Sequence, residues 1–530
     1  MRHETDFDYR RENPVKVVKR ALAALCCLML LLPAAALADD SFNLNRDGFS
    51  TSYTYGYDYW GDVQESPDAY RVATVIDSIT LGLESLDNKL MAKPQSLFMR
   101  NDDLYIVDTG NSRILQVRFE GHKYSLYRVI SGVNGCDVTA FSSPYDVFVD
   151  EQDNIYVADY GNQRVVMMDK DLNWIKEFVK PTDATFDQNL DFLPKKIVVD
   201  VAGRLYAMVQ NVNKGLVKYE ADGTFTGYIG ANQVTVSMTD YIWKKYFQTQ
   251  AQRDASASFV PTEYENVYID KEGFIYATTT TFSEYDLKWD NAKPIRRLNG
   301  LGNDILIKND RYPPIGDLDW LEGDSTYYGP SRMTDITVFD NDIYIALDRV
   351  RGRLFGYDNQ GVMLWAFGTR GNIEGAFTSV ISIEHRGFDL FVLDQMENSV
   401  TVFTPTEYGL KIYDAIEKYQ DGKYDESAAI WQDVLKQNAN YPLAFRGIGR
   451  AVMRQDKYQE AMEYFKMAHD RENYGRAFKL YRKEWIEKNI WWIFLGIAVL
   501  LVVPLVLGKR KRMQWEVIMH EQNKVRKANG

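Results

Sequence analysis

The chain reads YIVDTGNSRI from Tyr105 to Ile114 and YVADYGNQRV from Tyr156 to Val165, 51 residues apart. Each copy opens with β-branched and aromatic residues that suit a buried strand. Each then breaks at Asp-x-Gly-Asn, where a carboxylate can accept turn N–H groups and Gly and Asn tolerate φ > 0. Arg113 and Arg164 open the returning strand within reach of Asp108 and Asp159. The ten residues therefore describe a fastened β-hairpin. Asp108, Asn111 and Arg113 hold one copy, and Asp159, Asn162 and Arg164 the other. A structural role outweighs a ligand role for these side chains.

Fainter copies of the same strand end at Met208, Thr278, Ala346 and Leu393. Before each lies a short partner: SLFMR from Ser96, YDVFVD from Tyr145, KIVVD from Lys196, NVYID from Asn266, DITVFD from Asp335 and VISIEH from Val380. Six units follow, centred on Tyr105, Tyr156, Tyr206, Tyr276, Tyr344 and Phe391. Short strands repeated at a period of about 50 residues call for a radial array of small sheets. The expectation is a mainly β fold, a six-bladed β-propeller over residues 39–405. Its repeats fall near 94–121, 144–180, 194–230, 260–299, 330–368 and 377–404. Blade six keeps only Asp394 and Asn398 of the hairpin motif. The aromatic stretch TSYTYGYDYWGD (Thr51 to Asp62) is expected to close the ring against blade six or to pack across one face. Blades three to five carry insertions. One, Thr239 to Ala255, has the capping and apolar spacing of an amphipathic helix. Others hold Trp289, Tyr312, Trp320, Tyr327 and Tyr328, and long aromatic loops on a rigid ring are where function tends to sit.

The two ends point to a membrane. Basic residues up to Arg20 precede the apolar run Ala21 to Leu32, and Ala36-Leu37-Ala38 offers small residues for cleavage, the order of a secretory signal over residues 1–38. Ile490 to Gly508 is nineteen residues without a charge, close to one hydrocarbon thickness as a helix. Trp491 and Trp492 mark its first edge, and Lys509-Arg510-Lys511-Arg512 follow at once, as cytoplasmic flanks do. A transmembrane helix over 489–508 and a basic cytoplasmic tail over 509–530 are expected, with the ectodomain extracellular. The first twenty residues hold six basic and four acidic groups and the tail seven and two; of the totals of 62 and 74, 49 basic against 68 acidic remain between, a net of −19. Such a surface gives no support to nucleic-acid binding. Cys136 is the one cysteine beyond the signal, so no internal disulfide forms, and a domain of this length can bury a core without one.

From Thr406 the period becomes helical. Gly422-Lys423-Tyr424 and Asp456-Lys457-Tyr458 recur at a spacing of about 34 residues, and two helical hairpins with a capping helix are expected over 406–488. A stalk is favoured over a peptide groove, because two repeats offer little concave surface.

Pro144 to Val165 resembles the NHL repeat, with its P-x-D start and I-Y-V-A-D-x-x-N-x-R-[IV] hairpin. Phe445, Gly449, Tyr458, Ala461, Phe465 and Ala468 are similar to the tetratricopeptide pattern. The whole order, together with YWGD at Tyr59 and VPTEY at Val260, resembles a family of surface proteins of Gram-positive bacteria. That resemblance implies a companion of membrane complexes, often beside carbohydrate ABC importers, so that an importer permease is an implied partner.

Catalytic motifs are scarce. Zinc lyases built on such repeats use several histidines, whereas this propeller contains only His122 and His385. No G-x-S-x-G, HExxH, EF-hand or phosphate-cradling sequence occurs. If a ligand binds, the central mouth is the place, where the inner strands start and side chains converge. Gln95, Tyr145, Asp146, Lys195, Lys196, Glu263, Arg332 and Asp335 are the candidates, suited to a polar glycan or a protein loop. The reading is a non-catalytic, membrane-anchored binding or scaffold protein without cofactor. The alternative is a metal-dependent lactonase or similar hydrolase at the mouth, which alone would need a divalent ion such as calcium, with Glu263 among its ligands.

Overall fold

The computed structural model of the chain describes residues 54–528 apart from 59, 87, 122, 231–263, 283–286, 288–291, 309–312, 318–329, 372 and 374. The signal segment, the Thr239 to Ala255 helix, Glu263, Trp289, Tyr312, Trp320, Tyr327 and Tyr328 lie outside the described residues. Three strands open the described chain: β1 (Thr54–Tyr57), β2 (Val63–Ser66) and β3 (Tyr70–Ile76). Six inner strands then recur: β4 (Ser96–Arg100), β8 (Pro144–Val149), β12 (Pro194–Val199), β16 (Asn266–Ile269), β19 (Met333–Val338) and β23 (Val380–Arg386). Each inner strand neighbours the next, and β23 returns to β4. The ring of six blades is closed.

Within a blade the sheet is an antiparallel meander, as in blade one, from β4 to β7 (Lys123–Ile130), and in blade two, from β8 to β11 (Trp174–Phe178). Second strands such as β9 (Ile155–Asp159) are buried at every residue, because neighbouring blades cover both faces of the sheet. That is why they read as unbroken apolar runs rather than as alternating ones. Val107, Ile114, Val157 and Val166, for example, form one core between blades one and two.

Ring closure falls to β3, which pairs antiparallel with β25 (Ser399–Pro405), Ile76 opposite Val400 and Tyr70 opposite Pro405. The aromatic stretch around Tyr55 does something else, and the expectation that it closes blade six is corrected. It supplies β1, which extends blade five beside β22 (Met363–Phe367), Tyr55 opposite Ala366. The cause is a buried carboxylate. Tyr55 and Tyr57 donate their hydroxyls to Asp317 at 2.5 and 3.0 Å. Arg353 and Arg351 close on the same carboxylate at 2.5 and 3.2 Å. Buried phenols need such partners, and blade five supplies them.

After β25, Thr406 caps helix α1 (Glu407–Gln420), its hydroxyl accepting the Gly409 N–H at 3.2 Å. Then come α2 (Tyr424–Gln437), α3 (Pro442–Arg454), α4 (Tyr458–Met467) and α5 (Arg471–Ala528). Gly447 and Gly449 let these helices approach: a Cβ on Gly449 would lie 2.8 Å from the Phe465 ring. The helices share one core with blades five and six. Tyr413 of α1 stacks on Phe388, centroids 4.8 Å apart, and stands edge-on to Phe339 at 5.6 Å. Its hydroxyl meets that of Tyr70 at 2.8 Å, and Tyr441 donates to the Leu364 carbonyl at 2.5 Å. α5 then runs on without a break, and its apolar window is the one stretch among the described residues long and apolar enough to cross a membrane. Nearly all side chains there, from Trp491 to Leu507, are exposed, Ile493 being half-buried.

Candidate functional site on the propeller axis

The hairpin motifs of blades one and two come first. Asp108 is fully buried. Its carboxylate accepts from Arg113 Nε at 2.7 Å, Asn111 Nδ2 at 2.9 Å and the Ala92 N–H at 2.8 Å. Asp159 repeats this with Arg164 at 3.0 Å, Asn162 at 2.8 Å and the Ser142 N–H at 2.8 Å. Asn111 and Arg113 also reach the Leu90 and Lys89 carbonyls. The motif thus ties the hairpin to the loop that enters its own blade. The left-handed residues are Ser112 and Gln163, at φ 52° and 56°, not the glycine or asparagine before them. Glycine is there for space: a Cβ on Gly110 would sit 2.4 Å from the Ala92 carbonyl oxygen, and one on Gly161 2.7 Å from that of Ser142.

On the axis, every inner strand offers one polar residue at the same register: Ser96, Asp146, Lys196, Asn266, Asp335 and Ser382. They bond to one another across blades. Ser96 donates to Asp146 at 2.5 Å, Lys196 to Ser96 at 2.8 Å, and Ser382 to Asp335 at 2.7 Å. Asn266 donates to the other oxygen of Asp335. The carboxylates also take backbone donors of the next blade, Ile197 N–H on Asp146 and Ile383 N–H on Asp335, each at 2.8 Å. Lys196 Nζ stands 3.6 Å from Asp146. A polar girdle thus crosses the channel with its bonds spent internally. Burial pushes the carboxyls of Asp146 and Asp335 upward, and the Lys196 ammonium pulls both back.

Of the eight mouth candidates, Asp146, Lys196 and Asp335 belong to this girdle. Gln95, Tyr145 and Lys195 stand one residue earlier, at the strand starts. Tyr145 stacks on Tyr160 with centroids 4.4 Å apart, and Lys195 Nζ lies 5.9 Å from the Tyr145 ring. Arg332 is drawn off the axis: it donates to the Phe282 carbonyl at 2.6 Å and covers the Phe282 ring at 4.3 Å. The strand-start register of blade four belongs to Glu265, which accepts from Arg349 at 2.9 Å and from Thr280 at 3.1 Å. Sequence reasoning missed Ser96, Asn266 and Ser382. Their signal was a fixed offset of nine or ten residues before the aromatic centre of each repeat.

Beyond the girdle the channel widens into a chamber of about 460 Å³, which the sequence did not announce. Its wall includes the next inward position of five of the strands: Phe98, Phe148, Val198, Tyr268 and Glu384. Glu384 is buried, and burial with the nearby Asp335 charge raises its carboxyl well above the usual range. His385 shares a 2.7 Å hydrogen bond between Nδ1 and Thr337 Oγ1, and burial lowers it to about 4. His385 is therefore neutral at pH 7. Among the described residues no group of three or more His, Cys, Asp or Glu side chains is placed to hold a metal ion. Asp146 and Asp335, three blades apart round the ring, have their oxygens occupied, so this donor set does not fit a divalent ion.

No protein-family model and no curated protein matches the chain. Solved structures similar to it include virginiamycin B lyase from Staphylococcus aureus, 11% identical over 63% of this chain and 99% of that one, with a TM-score of 0.36. A gluconolactonase from Xanthomonas campestris is 10% identical over 64% and 96%, at 0.34. An auxiliary nutrient binding protein from Bacteroides thetaiotaomicron is 12% identical over 60% and 70%, at 0.36. Each value is a likeness and no more.

Proposed function

We propose that the chain is a non-catalytic, membrane-anchored scaffold. Its propeller stands outside the cytoplasmic membrane and binds a glycan or a protein partner on the face that carries the insertions. Its stem and span dock on a membrane complex, for which a carbohydrate ABC importer is the partner the family resemblance implies. One observation carries this reading. The helices share a core with blades five and six, and α5 passes from that core into the apolar stretch as one helix. Side-chain packing rather than a flexible tether therefore sets the propeller's attitude to the bilayer. On this reading the blades are of the NHL type and α1 to α4 are two tetratricopeptide repeats. Tyr408, Tyr413 and Tyr441, at their first helices, are engaged with the propeller, which supports a stalk rather than a peptide groove.

The hydrolase alternative asks for free oxygen ligands on the axis, whereas the girdle carboxylates are spent on neighbouring blades. The test compares two full-length proteins solubilised from membranes. One is native, and in the other Ile490 to Gly508 is replaced by an unrelated apolar span. Stoichiometric recovery of one membrane complex with the native protein, reduced with the replaced span, is the expected outcome. Lactone hydrolysis by the ectodomain that requires added calcium and is lost in Glu263→Gln would overturn it.

A further inference from the structure

Glu384 lines the chamber and is 6% exposed. Its hydrogen bonding among the described residues is limited to Oε2, which accepts the adjacent His385 N–H at 3.3 Å. Buried carboxyl oxygens are nearly always satisfied, so the free Oε1 marks a place for a donor. The charges that bear most on Glu384 are those of Asp335 and Asp146, both negative, and of Lys196. That ammonium is already committed to the girdle, donating to Ser96 and standing 3.6 Å from Asp146. Three carboxyl groups on the axis thus share one cation.

The rest of the chamber adds aromatic rings and more acidic groups. Phe98, Phe148 and Tyr268 stand in its wall at the level of Glu384. The first two rings lie 4.9 Å apart, and burial, followed by the Glu384 charge, raises the Tyr268 phenol. The mouth opens between the strand-end turns at Asn101, Gln152, Gly203 and Gly387. These lie at the C-terminal ends of the inner strands, away from the strand-start face that carries Tyr145 and Lys195. Eight Asp and Glu side chains line the chamber against four basic ones, Arg100, Lys196, Lys271 and Arg386. Arg386 pairs with Asp102 at 3.3 Å and covers the Phe119 ring at 3.7 Å, and Lys271 donates to the Asp340 carbonyl. Arg100, partly exposed at its strand end, leaves the balance acidic.

We propose that this chamber binds a compact organic monocation, a primary ammonium on a flat apolar body, with the ammonium donating to Glu384 Oε1 and the body against Phe98, Phe148 and Tyr268. An ammonium and a carboxylate make a charge-assisted hydrogen bond, and aromatic faces attract a cation. Burial and the Asp335 charge raise the Glu384 carboxyl well above the usual range, and a cation beside it favours the ionised form. The other ligand classes fit less well. An anion would meet Glu384 with Asp335 behind it. A divalent ion needs several oxygen ligands, whereas Asp146 and Asp335 are already bonded to neighbouring blades. A neutral ring would leave the excess of carboxyl groups unanswered. The proposal does not depend on which partner the scaffold recognises, since that partner is assigned to the opposite face.

The test is isothermal titration calorimetry of the detergent-solubilised full-length protein with benzylammonium, its neutral isostere benzyl alcohol, and benzoate. Benzylammonium is expected to bind one to one, with benzyl alcohol and benzoate weaker by about tenfold or more, as loss of a charge-assisted pair dictates. Glu384→Gln should weaken benzylammonium by a similar factor, because the amide keeps the shape and loses the charge. Phe98→Leu should weaken it by about threefold through loss of an aromatic face. Folding of both variants is checked by near-ultraviolet circular dichroism. Should Glu384→Gln not fold, Phe98→Leu and the two reference compounds decide. Absence of benzylammonium heat, equal binding of benzyl alcohol or benzoate, or undiminished affinity in either folded variant would each overturn the assignment.

Discussion

Lys196 is one ammonium set among Asp146, Asp335 and Glu384, and its removal is the sharpest test at the scale of a residue. Lys196→Met keeps the length of the side chain and leaves the buried carboxylates without their cation. A loss of about 3–5 kcal/mol is expected, measured by chemical denaturation, with part of it restored by adding Asp146→Asn. Glu384 gives a pH signature. Its native carboxyl is raised above the value in the unfolded chain. The stability tied to its protonation is therefore complete below about pH 4 and drains away as pH rises toward the native value. Glu384→Gln has no such drain, so its advantage in melting temperature over the native protein should grow from pH 5 to pH 8. His385, neutral down to about 4, contributes the opposite slope between about pH 6.5 and 4 in both proteins and cancels in the difference. An advantage that shrinks over that range would refute the account. Gly161→Ala separates two explanations of the repeat. Its Cβ would press within 2.7 Å of the Ser142 carbonyl, so a cost of about 1–3 kcal/mol is expected from overpacking, although the position has an ordinary φ.

Among the elements, the contact between α1 and the propeller explains an irregularity in the repeat. Blades two, three and four end the inner strand at Asp150, Asp200 and Asp270, each closing a turn with its own carboxylate. Blade five has Phe339 there, which keeps the same backbone turn, its N–H on the Ile343 carbonyl at 2.8 Å. The ring faces His385, Phe388 and Tyr413 instead. The motif fails where the helices dock. Tyr413→Ala removes the ring at the centre of this cluster and should cost about 3–5 kcal/mol. It should also split the melt of a fragment spanning residues 39–489 into two transitions by differential scanning calorimetry; a single undiminished transition would deny that the helices and blades share a core.

For the whole molecule, closure depends on β3 pairing with β25, the first strand of the ring with its last. A ring opened at that seam exposes the apolar faces of blades one and six. A propeller-and-helix fragment that starts after Ile76 and ends at Asn489 should therefore be recovered as aggregate, whereas one that starts at Asp39 should be recovered soluble, by size-exclusion chromatography. Restoring solubility with a separately supplied Tyr70 to Ile76 peptide would strengthen the point. Soluble, monomeric recovery of the shortened chain would contradict it.

Periodicity alone determined the six blades, the hairpin residues, the helical hairpins and the apolar span, because each is written in local patterns of apolar, turn and charged residues that neighbours in sequence enforce. Asp108 and Arg113 are five residues apart, and their meeting follows from a hairpin. Only the tertiary structure decided which strand sealed the ring, since Tyr55 and Tyr70 both lie in aromatic, strand-forming sequence and Asp317, far along the chain, selects between them. It alone revealed that Ser96, Asn266 and Ser382 complete the girdle, and that Phe98 and Glu384 look into one chamber from adjoining blades. Those juxtapositions arise from closing a circle. No stretch of local pattern carries that information, because the partners belong to different blades and meet only on the axis.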